Sequence, residues 1–366
     1  MTHNWLSRLF TGSNTTTRKR QPHFRLRLEA VEERALLAAL SVDIGDAGCN
    51  VAGPVYCEIQ EAVNAAAPGD KIEVASGTYQ PVDISVNGIT IKEANGNSNP
   101  VIDASGENTG VQLTASDVTI KGLHVQDATL YGFRLDSGGN TLTGNTASGN
   151  GYGFALSAGG SGNTLTGNTA SGNGFDGFLL FSSSGNTLTG NIASGNGNGF
   201  VLVGGSGNTL TGNTASGNGV AGFGLFGGSG NTLTGNTASG NGFDGFVLFA
   251  TSGNTLTGNT ASGNLRDGFR LESSSSNTLT GNTASGNDNG FVLFGGSGNT
   301  LTGNTASGNL GDGFRLEFSS GNTLTGNTAR KNAGYGFYVD AIGTNIFVDN
   351  KCKQNGLGGS NQLGIC

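Results

Sequence analysis

An all-β solenoid is predicted by three features of this 366-residue sequence: a right-handed parallel β-helix of about 12 coils of 22–23 residues, with a short N-terminal capping helix. The hexapeptide Asn-Thr-Leu-Thr-Gly-Asn occurs nine times, always 22 or 23 residues apart. Each interval holds three short alternating segments (Thr-Leu-Thr, Thr-Ala-Ser and Gly-Phe-x-Leu), the period-2 pattern of a strand. Between them recur Gly and Asn, which tolerate positive φ, while proline and helical-period apolar runs are nearly absent.

The first 42 residues stand apart. They hold seven of the 18 basic and three of the 25 acidic residues, a formal +4, which leaves 11 basic and 22 acidic residues in the body, a formal −11. Leu26, Leu28, Val31 and Ala35 tend to one side of a helix over residues 25–40. The run RLEAVEERALLAA resembles the short localisation segment that precedes many bacterial extracellular repeat proteins. That resemblance implies export to the cell surface or beyond, with residues 1–42 a leader that is disordered or removed. Residues 43–366 then form one domain: 43–87 the N-terminal cap and first strands, 88–344 the repeats, 345–366 the C-terminal coil and cap. A solenoid exposes its core and strand edges at both ends. Residues 58–68, EIQEAVNAAAP, carry the short helical pattern that covers one of them, followed by a strand and turn in GDKIEVASGTY.

Within the repeats the core reads directly. Leu142, Leu165, Leu188 and their successors form one inward stack, and Phe154, Phe178, Phe200 and theirs form another with the Leu or Val two residues on. Ala147 and its equivalents fill a narrow corner. Asn145, Asn168 and Asn191 are expected to stack at a bend, linking amides from coil to coil. Length changes fall between Ser-Gly-Asn and Gly-Phe, or just after the Phe strand, so both places are turns.

Four cysteines sit only near the ends of the body. Their even number and their separations of 8 and 14 predict the bridges Cys49–Cys57 and Cys352–Cys366. A metal site would need paired histidines, and outside the leader only His124 remains. The acidic body lacks a basic stripe, so nucleic acid is not an expected partner. No apolar run approaches the roughly 18 residues of a membrane span.

From Cys49 to the end, the N-x-[apolar]-x-G-N and G-F/Y-x-[apolar] elements resemble the parallel β-helix repeat family of pectate lyases, alginate epimerases and NosD-type proteins. The entry around residues 58–79 is similar to the pectate-lyase-like N-terminal cap. The resemblance implies fold strongly and function weakly, because one scaffold hosts many chemistries. Epimerases and lyases of this kind use an Asp-Pro-His-Asp cluster just after the Gly-Phe strand. The matching positions here read GFRLDS, GFRLES, GFRLEF and GFYVDA, with acid and Arg but neither His nor Pro. Calcium would need clustered carboxylates, and the repeats concentrate none, so neither cofactor nor metal is expected. The middle coils are near copies, which leaves a unique catalytic constellation only to divergent coils, where Asp127, His124, Arg134 and Asp136 are the weak candidates.

The informative positions are the two outward ones of each Gly-Phe-x-Leu strand. Within most coils both are charged, as in Arg134/Asp136, Arg270/Glu272 and Arg315/Glu317, or both apolar, as in Leu179/Phe181, Val247/Phe249 and Val292/Phe294; Ala155/Ser157 and Tyr338/Asp340 are mixed. From Leu179 through Phe226 to Phe249 they form either an exposed apolar stripe able to bind a partner or, if each Phe turns into the corner, part of the core. The expected function is a non-catalytic extracellular or cell-surface β-helix that binds polysaccharide or a surface component, associates laterally with itself, or serves as a rod. The alternative is a polysaccharide lyase, hydrolase or epimerase. A second alternative, ice binding, rests on the flat Thr-x-Thr array led by Thr141 and Thr143, although Thr is also an ordinary exposed strand residue.

Overall fold

A computed structural model describes residues 38–49, 55–96, 99–340 and 343–366. The localisation motif lies almost wholly outside the described residues. Residues Ala39–Val42, counted above with the leader, form a strand that pairs in parallel with Lys71–Val74, and Val42 is buried. The solenoid therefore begins a few residues before position 43.

Each coil contributes one strand to each of three parallel sheets. The Thr-Leu-Thr segments build a 15-stranded sheet that ends at Ile346–Val348. The Thr-Ala-Ser segments build a 13-stranded sheet from Thr78–Tyr79 to Lys351–Lys353, and the Gly-Phe segments another from Val82–Ile84 to Gly358–Ser360. Equivalent residues sit in register from coil to coil: Leu165 pairs with Leu142 and Leu188, and Phe200 with Phe178 and Phe223. The Thr-Leu-Thr and Thr-Ala-Ser strands are joined by Gly-Asn, with Gly in the left-handed region, as at Gly258 with φ +63°. There the chain turns sharply at little cost because no Cβ clashes.

The interior consists of continuous columns. The Leu, Phe and Ala columns are all fully buried. Phe rings from Phe133 to Phe337 stack with centroids 4.6–4.8 Å apart and planes within 7°, following the spacing that the hydrogen-bonded parallel strands impose. Each such side chain contributes roughly 1.5–3 kcal/mol by leaving water. The Ala column is small for a reason. A Cβ on Gly245, which precedes Phe246, would lie 2.8 Å from the Cβ of Ala261 in the next coil and 2.7 Å from the Gly268 carbonyl oxygen.

Three asparagine ladders run the length of the repeats, not one. They begin at Asn140, Asn145 and Asn150 and are almost wholly buried. In the expected ladder, Asn168 Oδ1 accepts from the backbone N–H of Asn145 (2.9 Å) and from its Nδ2 (3.0 Å). Asn168 Nδ2 donates to Asn191 Oδ1 (3.0 Å) and the Leu142 carbonyl (2.9 Å). Every polar atom of the amide is engaged, so its burial is compensated.

The ends match the expected caps. Helix α1, Ile59–Ala65, is shorter than the 58–68 pattern and ends three residues before Pro68, whose ring disfavours helix in the preceding residue. Its start is held by the Glu61 carboxylate, which accepts from the N–H groups of Cys57 (3.1 Å) and Glu58 (3.2 Å). Ile59, Ala62 and Val63 are buried on the first coil. Both predicted disulfides are present: Cys49–Cys57 with Cα atoms 5.1 Å apart and Cys352–Cys366 with 5.8 Å.

Candidate binding face

Strand alternation sends Phe and Leu of each Gly-Phe-x-Leu segment inward and leaves x and the residue after Leu outward. The trailing aromatics are not core: Phe181 is 53% exposed and Phe249 45%, against 0% for Phe178 and Phe246. Phe226 and Phe294 are half-buried, as are Leu179 and Val247. Ala155, Val201 and Val292 also point outward yet are covered by their neighbours. Phe226 shows how, since a Cβ on Gly224 would lie 2.6 Å from its ring, so the glycine leaves the space into which the aromatic folds.

The charged coils pair within themselves. Arg270 donates to Glu272 through Nε (3.0 Å) and Nη2 (2.9 Å) and reaches Asp267 through Nη1 (3.2 Å). Arg315 repeats this with Asp312 (3.0 Å) and Glu317. Each guanidinium also lies over an aromatic ring of the next coil, Phe294 at 5.9 Å and Tyr338 at 4.6 Å. Arg134 bonds Asp136 through Nε (3.2 Å) and covers Tyr131 at 5.2 Å, and its side chain is 41% exposed. Gln112 Nε2 donates to Asp136 at 2.6 Å. Burial pushes the Asp136 carboxyl up, but hydrogen bonds from Ser157 and Gln112 and the Arg134 charge outweigh it and hold the group below the usual carboxylate range.

Between Arg134/Asp136 and Leu179/Phe181 stands the smallest outward pair of the sheet, Ala155/Ser157, and a cleft of about 350 Å³ opens above it. Tyr131 and Tyr152 form its other wall, stacked at 5.5 Å, and Phe175 extends the row at 5.0 Å from Tyr152. The cleft thus offers aromatic faces, an apolar floor and the Arg134 side chain, itself paired with Asp136, within one opening.

The four weak catalytic candidates are not brought together. His124 lies on the Thr-Ala-Ser sheet with Nε2 2.7 Å from Ser148 Oγ, and Asp127 follows in the adjoining turn. Burial pushes the His124 pKa down against the opposing charge of Asp127, so the ring is neutral at pH 7. Arg134 and Asp136 belong instead to the Gly-Phe sheet.

One feature was missed in the sequence. The residue before Gly-Phe forms its own column through Asp176, Asn198, Asp244, Asp267, Asn289 and Asp312, mostly buried along one edge of the sheet. Asn198 Nδ2 donates to Asp176 (2.9 Å), Asn289 Nδ2 to Asp267 (3.0 Å), and the Asp267 N–H to Asp244 (3.0 Å). Burial raises the carboxyl pKa of both Asp176 and Asp244, and the negative charge of Asp267 adds to the effect at Asp244. The recurring Asp-Gly-Phe in four coils was its visible signal. Among the described residues, no group of three or more His, Cys, Asp or Glu is placed to hold a metal ion, and no helix is long and apolar enough to cross a membrane.

Three parallel sheets with one outward face varied from coil to coil define a parallel β-solenoid with a decorated side. The sequence matches the family described as right handed beta helix region over residues 109–261 and 228–364, and the chain belongs to that family. No curated protein matches it. Its structure is similar to the catalytic unit of a thermostable GH87 α-1,3-glucanase from Streptomyces thermodiastaticus strain HF3-3, at 17% identity, 89% of this chain, 69% of that one and a TM-score of 0.69. It is also similar to the A-module of the Azotobacter vinelandii mannuronan C-5 epimerase AlgE4, at 18% identity, 88% and 98% coverage and a TM-score of 0.61. The Dettilon tailspike protein aligns at 13% identity, 86% and 68% coverage and a TM-score of 0.59. At these identities the likeness is one of fold.

Proposed function

We propose that this protein is a non-catalytic extracellular or cell-surface β-helix that binds polysaccharide through the outer face of its Gly-Phe sheet. The observation that carries the reading is the cleft at Ala155, where Tyr131, Tyr152 and Phe181 present aromatic surface beside Arg134, itself paired with Asp136. Aromatic rings cover the apolar faces of sugars, and charged groups bond their hydroxyls. Two of the similar structures are a glucanase and a mannuronan epimerase, which makes a carbohydrate ligand the natural class. Two disulfides suit an oxidising compartment, as does the resemblance of residues 27–39 to a bacterial localisation segment. A glycan array on the purified protein, with product analysis for cleavage, tests this reading. Binding without products is expected, and Phe181→Ser together with Tyr152→Ala should reduce it at unchanged melting temperature. A large fall in stability with no change in binding would leave only the role of a rod.

A polysaccharide lyase, hydrolase or epimerase is the second reading, and the Asp244–Asp267 pair favours it. Burial raises the pKa of the Asp244 carboxyl, as a general acid requires, and Asp267 in the next coil is ion-paired with Arg270 at 3.2 Å. Product formation that disappears in Asp267→Asn would establish it over the first.

A further inference from the structure

We infer that the face selects neutral polysaccharides and rejects polyanionic ones. This rests on the reading that the Gly-Phe sheet binds glycan. A polyuronate carries a carboxylate on every sugar and needs cations that are not already neutralised. The outward positions of the sheet hold three arginines, and each is ion-paired with an acid two residues along its own strand. Arg270 and Arg315 are further held by Asp267 and Asp312. Against Arg134, Arg270 and Arg315 stand Asp83, Asp136, Glu272, Glu317 and Asp340, so the outward positions sum to two negative charges.

The stretch between Leu179 and Phe249 offers no outward cation at all. Behind it the body carries 22 acidic and 11 basic residues from position 43 onward, so the long-range field repels an anionic chain as it approaches. A neutral sugar meets the same groups differently. Its hydroxyls accept from the Nη groups of Arg134, which lines the cleft, while Asp136 keeps the pair neutral, so contact brings no change in net charge. Its apolar ring face lies against Tyr131, Tyr152 or Phe181, where an added carboxylate would be desolvated beside apolar surface.

The test is affinity electrophoresis of the full chain in gels containing dextran, laminarin, polygalacturonate or alginate, at low and moderate salt, with and without calcium. At least one neutral polymer should retard the protein about tenfold more strongly than either polyuronate, with little dependence on salt. Retardation by polyuronate equal to or stronger than that by both neutral polymers overturns the selectivity while leaving a glycan-binding face in place. Retardation by none of the four overturns the binding reading itself and this inference with it. Asp136→Asn supplies a second readout, because it frees Arg134 from its carboxylate. Polygalacturonate retention should then rise about tenfold at low salt and fall back at moderate salt. An unchanged polyuronate response in a variant with the parent melting temperature also counts against the inference.

Discussion

Truncating one rung of an asparagine ladder should destabilise the solenoid more than removing most single contacts would, and Asn236→Ala is the variant to make. Asn236 is fully buried. Its Oδ1 accepts from the Asn213 backbone N–H at 2.9 Å and Asn213 Nδ2 at 3.0 Å, while its Nδ2 donates to the Leu210 carbonyl and to Asn259 Oδ1, both at 2.9 Å. Without the side chain, the Asn213 N–H loses this acceptor inside the protein. Asn213 Nδ2 keeps its bond to the Leu188 carbonyl, and Asn259 Oδ1 keeps the Asn236 N–H. One orphaned buried donor costs about 1–3 kcal/mol, and three weakened bonds add about 0.5–1 kcal/mol each, for a total of about 4 kcal/mol. Because coils contact mainly their neighbours, the loss should be local first. Hydrogen exchange is therefore the primary assay, with urea unfolding beside it, and protection of the Asn213 amide should collapse while coils near Leu324 are unaffected. Thr234→Ala, on the exposed side of the same coil, is the control and should change stability by no more than about 0.5 kcal/mol. A loss below about 1 kcal/mol for Asn236→Ala, or full retention of Asn213 protection, would refute the account of the ladders as satisfied buried amides.

Three further outcomes follow from the same columns. Gly245→Ala should cost about 3 kcal/mol, because its Cβ meets the Gly268 carbonyl oxygen at 2.7 Å. Gly258→Ala finds open space and should cost only the left-handed strain of about 1–2 kcal/mol, so near-equal losses in urea melts would contradict the packing. Asp244→Asn should stabilise the protein at neutral pH, because a carboxyl whose folded pKa is raised loses stability as pH climbs from the unfolded value of about 3.9 through the folded one. The difference from the parent should vanish in melts at about pH 3; a variant less stable than the parent at pH 7 would mean that the carboxylate is compensated by Arg266 and Arg270. Reducing Cys352–Cys366, which spans 14 residues, should lower protection of Lys351–Lys353 by up to about 3 kcal/mol and leave the central coils unchanged, as exchange after mild reduction would show.

The fold was legible because its period is long and strict and because inward residues repeat by type. Leu165 and Phe178 declare their sheet by alternation alone. The Asn140 and Asn150 ladders were not legible, since Asn beside Gly is an ordinary turn residue by local rules and only coil stacking makes it a buried amide. The Asp244 column was hidden in the same way, as a turn carboxylate whose burial depends on residues 22 or 23 positions distant. The pairing of like characters at x and x+2 was readable, and Arg270 with Glu272 explains it for the charged coils. The cleft was silent in the sequence. Ala155 and Ser157 carry no motif, and the opening depends on the size of Arg134 one coil earlier and Phe181 one coil later.

Why the site should lie on this face follows from what each coil leaves free. In a 23-residue coil such as Asn231–Gly253, three Asn continue the ladders, Leu233, Ala238, Phe246 and Leu248 fill the core, and Gly245 admits the next alanine. Changing any of these disturbs two neighbouring coils as well as its own. The outward positions of the Gly-Phe strand carry no such double constraint, and there the near copies diverge from Arg to Leu to Val to Gly. The Thr-x-Thr and Thr-Ala-Ser faces are equally exposed to solvent yet scarcely vary across nine coils. Their Thr residues fit the strand propensity that an exposed sheet position favours. The Gly-Phe sheet instead varies in matched pairs, with acids set against arginines and an aromatic folded over a small residue, so it is the face where residues can change without disturbing the ladders or the core, and the one on which the proposed binding site falls.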